Sequence, residues 1–231
     1  MCSFRKIAKA VQISIPCVFV LFLIRCGTPY FSDSFSGALD PSYRIFDQNR
    51  IDNYDVVGGN LVITANAFED LWGGEPLKRG APLLLHDVPE RDYEVECFVA
   101  SGPDGTPARP NTQVGLFVFN DVENWLFFGF TFHRGIAGPL PDGTGLIITS
   151  TIGDASIIVH YEDFETLAGV LLIRKSGNSW QFFINTGRAW RQVGPAVEAS
   201  LGTHEVGMGS KSFQSGGTSV SGYFDNFIIR N

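Results

Sequence analysis

The sequence is poor in charged residues and in cysteine. Charged residues make up only 18% of the 231 positions, and there are four cysteines. Three of these lie in the first 26 residues and the fourth is Cys97, which leaves no basis for a disulfide framework. Because Cys97 lies in an apolar strand pattern, we predict a buried free thiol rather than a disulfide.

Clusters of basic residues are also missing. The first 26 residues hold four of the 17 basic residues and none of the 24 acidic ones, so the remainder, with 13 basic residues, carries a formal charge of −11. Proteins that bind phosphate backbones hold them mainly with Lys and Arg. This charge balance argues against a nucleic-acid partner.

The common catalytic and metal-binding motifs are absent as well. The four histidines, His86, His133, His160 and His204, have no metal-ligand spacing, and no Cys/His pair supports zinc. No Gly-x-Ser-x-Gly segment supports a hydrolase triad. We therefore predict no catalytic centre of these types.

The N-terminal segment, residues 1–26, is predicted to be an export signal or a membrane anchor. Basic residues precede an uncharged run from Val11 to Ile24, which has about the length of a signal-peptide core and is short for a membrane span. The segment Leu23 to Gly27 resembles the lipobox of bacterial lipoproteins, although Arg25 stands where a small residue is expected. A cleaved signal, a lipid-modified Cys26 and an uncleaved anchor remain three alternatives.

The rest of the chain, residues 27–231, reads as one all-β domain. In Val170 to Gly194, apolar residues alternate on two strands joined by the turn formers Ser176 to Ser179. Similar patterns recur every ten to twenty residues, and about a dozen strands with regular turns favour a two-sheet sandwich or jelly roll. The other predicted strands are Tyr30–Phe35, Gly59–Ala65, Pro82–His86, Tyr93–Ala100, Val114–Asn120, Trp125–His133, Ile157–Tyr161, Glu205–Lys211 and Tyr223–Ile229.

Three of these strands are expected to differ in which of their faces are buried. Tyr93–Ala100 alternates apolar with acidic residues, which puts one face in the core and the other in water. Val114–Asn120 and Trp125–His133 are apolar or aromatic on both faces. We therefore expect the latter two to be central strands, with one face in the core and the other lining something partly covered.

The order of motifs resembles a known family. It runs FSDSFSGALDPSY, GGNLVITA, DYEVECFV, VGLFVFNDVENWLFFGF, LLIRKSGNSWQFFINTGRAW and GYFDNFII. This order is similar to the concanavalin A-like β-sandwich at the C-terminus of family-43 glycosidases and to small bacterial proteins of the DUF1349 type. The second turn, Thr186 to Trp190, lacks the Asp usual in that family. The resemblance implies an accessory sandwich of polysaccharide enzymes and cell-surface proteins, without catalytic duty.

An enzymatic alternative rests on the carboxylates Asp92, Glu94 and Glu96. Residues two apart on a strand point the same way, and retaining glycosidases need two carboxylates about 5–5.5 Å apart. Laminarinases and related glucanases show Glu-x-Asp-x-x-Glu or Glu-x-Asp-x-Glu, whereas this order is Asp-x-Glu-x-Glu. The competing interpretation is that these three carboxylates form the solvated face of an outer strand.

A sugar-binding site needs an exposed aromatic plane beside hydrogen-bonding side chains. Tryptophans beside polar residues or on turns meet this description, although large aromatics can instead close the ends of a sandwich core. Trp180 is expected in the core. The candidate ligand-binding residues are Trp125, Asn124, His133, Arg134, Trp72 and Trp190.

A calcium site is a further possibility, with no other cofactor predicted. Asp33 and Asp225 lie in the first and last strands, which often run close together in such sandwiches. Carboxylates and loop carbonyls would suit Ca²⁺, but both residues can equally be turn and edge residues.

The sequence thus predicts an exported, tethered, noncatalytic module that binds a polysaccharide, another glycan or a cell surface. A glycoside hydrolase using Asp92, Glu94 or Glu96 and a structural protein-interaction domain are the two alternatives.

Overall fold

The computed structural model describes residues 29–46, 53–74, 80–103, 105, 110–135, 140–187, 189–213 and 219–231. The N-terminal segment 1–26, predicted to be a signal or anchor, lies outside the described residues. No helix within the described ranges is long and apolar enough to cross a membrane.

The described residues form sixteen strands in two antiparallel sheets. The nine-stranded sheet has the order β13-β12-β11-β6-β16-β4-β3, with β1 paired to β16 and β14 to β12. Its strands are β1 (Phe31–Asp33), β3 (Tyr54–Val57), β4 (Asn60–Ala65), β6 (Tyr93–Ser101), β11 (Ala168–Ser176), β12 (Ser179–Asn185), β13 (Arg191–Gln192), β14 (Val197–Glu198) and β16 (Val220–Arg230).

The seven-stranded sheet has the order β10-β9-β8-β7-β15-β5-β2. Its strands are β2 (Arg44–Phe46), β5 (Leu83–Asp87), β7 (Thr112–Asp121), β8 (Asn124–His133), β9 (Gly143–Ile152), β10 (Ala155–Asp163) and β15 (Glu205–Ser212). The all-β class and the two-sheet arrangement expected from the sequence are confirmed. Strand β9, rich in Gly, Thr and Ser, is the longest element that the strand pattern did not predict.

The main core lies between the two sheets. It contains inward-facing residues of both, such as Val95 of β6 and Leu116 of β7, and includes Trp180 as predicted. The β11–β12 hairpin closes with Ser176 opposite Ser179, as its turn residues predicted, and Gly177 has φ +60°. Cys97 is a buried free thiol, which also agrees with the prediction.

A second, smaller core lies on the other face of the seven-stranded sheet. It contains Phe117 and Phe119 of β7, Trp125 and Phe127 of β8, and Ile147 of β9. Since side chains alternate along a strand, these residues point away from the main core. The prediction that β7 and β8 have two covered faces is confirmed.

The segment that covers this second face is a strap, defined here as residues 66–74 and 80–82. On one side of the sheet, the Ser212 amide at the end of β15 donates to the Glu69 carbonyl oxygen at 2.9 Å. On the other side, the Gly73 amide donates to Ser156 Oγ at 2.7 Å and the Gly74 amide to Asp154 Oδ1 at 3.0 Å. The strap therefore runs across the sheet from β15 to the β9–β10 hairpin.

Candidate functional site

The strap and the sheet face beneath it enclose the candidate site. Strand β8 contributes the alternate residues Trp125, Phe127, Gly129, Thr131 and His133 to this face. The side chains of all four non-glycine residues are buried. The predicted candidates Trp125 and His133 are thus brought to one face of the sandwich, at opposite ends of one strand.

The floor of the site is aromatic. A row of glycines runs across β15, β7 and β8, with Gly209 opposite Gly115 and Gly115 opposite Gly129. A Cβ on Gly115 would lie only 3.0 Å from the Phe127 ring, and one on Gly209 only 2.9 Å from the Phe117 ring. The two phenyl rings therefore lean over the glycine row, and larger residues there would displace them.

A buried lysine lies above this floor. Lys211 of β15 is 1% exposed, and its Nζ is 4.6 Å from the ring centroid of Trp125 and 4.9 Å from that of Phe127. The ammonium is 3.6 Å from Oδ1 of Asp70 in the strap, a residue that is 3% exposed. Burial lowers the pKa of Lys211, while the Asp70 carboxylate opposes that shift.

Four polar atoms on the same face are buried without a hydrogen-bond partner among the described residues. They are Gln113 Oε1, Trp125 Nε1, His133 Nδ1 and Thr149 Oγ1. Register places Gln113 beside Lys211 on β15 and Thr131 on β8. A buried polar atom left unsatisfied costs about 1–3 kcal/mol, so four on one face call for a polar species to meet them.

His133 lies at the far end of the face. It is 5% exposed and stacks on Phe213, with centroids 6.0 Å apart. Burial lowers the pKa of its imidazole, with Asp142 acting in the opposite sense. The ring is therefore favoured in its neutral form, in which one nitrogen donates and the other accepts.

Trp125 is not the exposed aromatic plane that the sequence predicted. It is fully buried, because the strap closes over the face and Phe117 lies 6.0 Å from it, centroid to centroid. Of the two alternatives that the sequence left open for Trp125, the structure shows the buried one. It belongs to the floor of a covered site, and no ligand can stack on it while the strap is in place.

The side chain of Asn124 makes hydrogen bonds to two turns. Its amide donates to Asp121 Oδ1 at 3.0 Å, and its Oδ1 accepts from the Gly153 amide at 3.1 Å. It thereby ties the β7–β8 turn to the β9–β10 turn beside the face. Its hydrogen-bonding groups are thus already engaged in holding the turns.

Three other predicted residues lie around or away from the face. Trp72 is half-buried in the strap, next to its attachment to the β9–β10 hairpin. Arg134 is exposed just past the end of β8, where its main chain is bonded to the Asn111 amide group. Trp190, 42% exposed, precedes β13 of the nine-stranded sheet. The structure does not bring Trp190 together with the other candidates.

The acidic strand β6 presents its carboxylates on the outer face of the nine-stranded sheet. Glu94 pairs with Arg174 and Glu96 with Arg230, each at 2.7 Å. Asp92 accepts from the Gly177 amide, which is the main reason that its pKa is lowered. A glycosidase acid needs a raised pKa, so this arrangement does not favour catalysis by β6.

The two residues considered for calcium lie near each other, because β1 pairs with β16 and Asp33 faces Phe227. Asp33 Oδ1 accepts from the Phe35 amide, whereas both Asp225 oxygens accept from Asn226. Within the described part of the chain, no group of three or more His, Cys, Asp or Glu suited to a metal occurs. The calcium site stays a prediction resting on two carboxylates.

Sequence reasoning missed Lys211, Asp70, Gln113 and Thr149. The only sequence signal was Lys211 itself, a charged residue following the small and apolar run Val206 to Ser210. Nothing in the local pattern linked Lys211 to a carboxylate so far away along the chain.

No protein-family model matches the sequence, and no curated protein matches it. Among solved structures, the GH43 protein BlXynB of Bacillus licheniformis, in a mutant form, aligns with TM-score 0.71 and 13% identity over 86% of this chain and 39% of that one. A xylan β-1,4-xylosidase of Bacillus halodurans C-125 aligns with TM-score 0.70 and 17% identity over 87% and 39%.

A third similar structure is a functionally unknown protein of Saccharomyces cerevisiae, with TM-score 0.64 and 14% identity over 81% of this chain and 95% of that one. The chain thus spans about two fifths of each Bacillus protein and nearly all of the yeast one. At these identities the likeness establishes a shared β-sandwich fold.

Proposed function

We propose that the protein is a concanavalin A-like sandwich that binds a carbohydrate without cleaving it, at the strap-covered face of the seven-stranded sheet. One observation carries this proposal: buried aromatic rings and four unpartnered polar atoms lie on a single face of the seven-stranded sheet. Its fold neighbours, a GH43 protein and a xylosidase, support a carbohydrate ligand.

The chemistry of the face suits a sugar. A pyranose ring offers an apolar side to an aromatic surface and a rim of hydroxyls to hydrogen-bonding groups. Thr149 Oγ1 can donate or accept, Gln113 Oε1 accepts and Trp125 Nε1 donates. A hydroxylated ligand that displaces the strap would satisfy groups that the closed protein leaves unpaired.

A noncatalytic role is favoured because the carboxylates of β6 are already engaged. Glu94 and Glu96 pair with arginines on the opposite side of the sandwich from the strap. We further propose that residues 1–26 export the domain and that a lipid-modified Cys26 or an uncleaved anchor tethers it to the envelope. Cell fractionation with a tagged chain would test that part.

The decisive experiment is equilibrium binding of the full chain to a panel of oligosaccharides, comparing Thr149→Val with Trp190→Ala. Thr149→Val removes one unpartnered hydroxyl at constant shape, whereas Trp190 lies on the other sheet. We expect saturable binding that Thr149→Val weakens roughly tenfold, as loss of one buried hydrogen bond does, and that Trp190→Ala leaves unchanged.

Two results would contradict the proposal. Binding lost in Trp190→Ala but retained in Thr149→Val would place the sugar on the nine-stranded sheet instead. Release of shorter products from any oligosaccharide would make the protein an enzyme.

A further inference from the structure

Asp70 is unusual because it belongs to a segment on the outside of the sandwich and yet its carboxylate is buried. The strap carries it down to the aromatic floor, where it lies 3.6 Å from Lys211 and is 3% exposed. Its Oδ1 also accepts from the amide of Leu71, which is itself fully buried against the floor. The carboxylate thus reaches the centre of the face as part of a covering segment, not as part of the sheet.

The sheet itself provides the cation but not the anion. Of the other titratable groups on this face, His133 is favoured in its neutral form and Tyr161, at the β10 edge, has its pKa raised to about 12 by burial and Asp163. Glu205 of β15 is bound by Arg44 at the opposite end of the strand. The ammonium of Lys211 therefore depends on the strap for its negative partner.

We propose that Lys211 is an anion-recognition group and that Asp70 occupies its carboxylate position until a ligand displaces it. The ligand class is an acidic saccharide, such as a uronate-bearing oligosaccharide. Its carboxylate would replace that of Asp70, and its hydroxyls would meet Gln113 and Thr149. This inference rests on the proposed carbohydrate-binding function and specifies its substrate class.

The attachment of the strap permits such an exchange. Four of its described hydrogen bonds go to groups of the sheet: the strap accepts from the amides of Ser212 and Ser210, and it donates to Ser156 and Asp154. The bonds to Ser156 and Asp154 lie at the partly exposed hairpin end, where water can replace them, whereas Ser212 and Ser210 are fully buried. Releasing the strap from the β9–β10 hairpin would loosen the segment that carries Asp70, while Leu71 and the bond from Ser212 still hold that segment on the floor.

Gly73 offers a way to loosen that attachment. A Cβ on this residue would collide with the main chain of Asp154, so Gly73→Ala must move the strap away from the hairpin. Gly37→Ala is the matched control, because a Cβ there meets nothing within 4 Å and its backbone angle suits any residue. Neither residue is one of those argued to meet the ligand.

The experiment measures binding of paired acidic and neutral oligosaccharides, a glucuronate or galacturonate oligomer against its uncharged counterpart, to the full chain. We expect wild-type protein to prefer the acidic member at least tenfold. Gly73→Ala should raise the affinity for the acidic member severalfold, and Gly37→Ala should leave it unchanged. The double variant Lys211→Met/Asp70→Asn, which removes both charges together, should bind both members equally.

Amide hydrogen exchange gives a second readout that does not depend on any variant folding. If the ligand displaces Asp70, the acidic oligosaccharide should speed exchange of the Gly73 and Gly74 amides while protecting β8. Unchanged or slowed exchange at these two glycines on saturation with ligand would overturn the displacement.

The outcomes separate this inference from the proposed function. Equal binding of acidic and neutral sugars by wild type and Gly73→Ala would overturn the role of Lys211 and leave carbohydrate binding intact. An acidic preference that persists in the double variant would overturn it as well. Failure of every sugar to bind wild type and Gly73→Ala would contradict both.

Discussion

The two outer faces of the sandwich treat charge in opposite ways. On the nine-stranded sheet, Glu94 and Arg174 meet at 2.7 Å with both side chains partly in water. On the seven-stranded sheet, Lys211 and Asp70 stand 3.6 Å apart, and both are at least 96% buried. The first face is exposed to solvent, whereas on the second face an ion pair is buried beneath the strap.

The difference supports the proposal that the strap-covered face is the one that binds a ligand. Exposed ion pairs contribute little to stability and tolerate substitution, as expected of a surface without a specific binding role. A buried pair gains little stability over apolar residues of the same size. Its presence beside unpartnered polar atoms is therefore consistent with the proposed ligand recognition.

The largest difference in stability between the two faces is expected for their tryptophans. Trp125→Ala removes a fully buried side chain from the floor and should lower the free energy of unfolding by about 3–5 kcal/mol. Trp190→Ala, on the other side, should change it by less than about 0.5 kcal/mol. Urea denaturation measures both. Similar losses in the two variants would show that the floor is loosely packed.

The ion pairs give the next contrast. Asp70→Ala leaves the Lys211 ammonium buried without its partner and should cost about 3–5 kcal/mol of stability. Glu94→Ala breaks an exposed pair and should cost about 0–1 kcal/mol. Chemical denaturation of both variants at pH 7 is the test. A small loss for Asp70→Ala would mean that water already reaches Lys211 beneath the strap.

Two buried hydroxyls of the seven-stranded sheet, one on each face, are expected to differ in their contribution to stability. Ser210 Oγ donates to the Ile63 carbonyl at 2.8 Å, whereas Thr149 Oγ1 on the strap side has no partner among the described residues. Ser210→Ala should therefore destabilise by about 1 kcal/mol, while Thr149→Val should be neutral or slightly stabilising. Thermal unfolding without sugar distinguishes them, and a clear loss for Thr149→Val would reveal a partner such as bound water.

The smallest expected effect is the pH dependence due to Lys211. Because burial lowers its pKa below the ordinary 10.5, the unfolded chain binds more protons between the folded and the unfolded pKa. The free energy of unfolding contributed by Lys211 therefore rises with pH towards 10.5 and is lost as pH falls through the folded pKa. The difference between wild type and Lys211→Met/Asp70→Asn, followed by urea denaturation, should show this rise. Parallel curves would contradict the lowered pKa.

Local patterns predicted the sheets better than they predicted the site. The alternation in Tyr93–Ala100 and the two apolar faces of β7 and β8 follow from period-two geometry, so the covered second face was foreseeable. The burial of Trp125 was not, because it depends on a strap that belongs to a different part of the chain. Strand β9 was missed because its Gly, Thr and Ser residues hide a core-facing pattern of Leu146 and Ile148.

The pairing of Lys211 with Asp70 was equally inaccessible to sequence reasoning. Each residue alone is typical of a solvent-exposed position, and only the tertiary path of the strap joins them. For the calcium hypothesis, by contrast, the sequence predicted the tertiary proximity of two residues correctly. The adjacency of the first and last strands was predicted and is confirmed, yet proximity of Asp33 and Asp225 supplies only two carboxylates.

The path of the strap also affects how the chain can fold. Gly73 bonds to Ser156, 83 residues further along, and Glu69 bonds to Ser212 near the C-terminus. As the chain leaves the ribosome, the strap is made long before either of its attachment points. Closing such a distant contact is slow, so the phenyl rings of the floor stay uncovered until the chain has been made as far as Ser212, and in that interval the nascent protein is most exposed to aggregation.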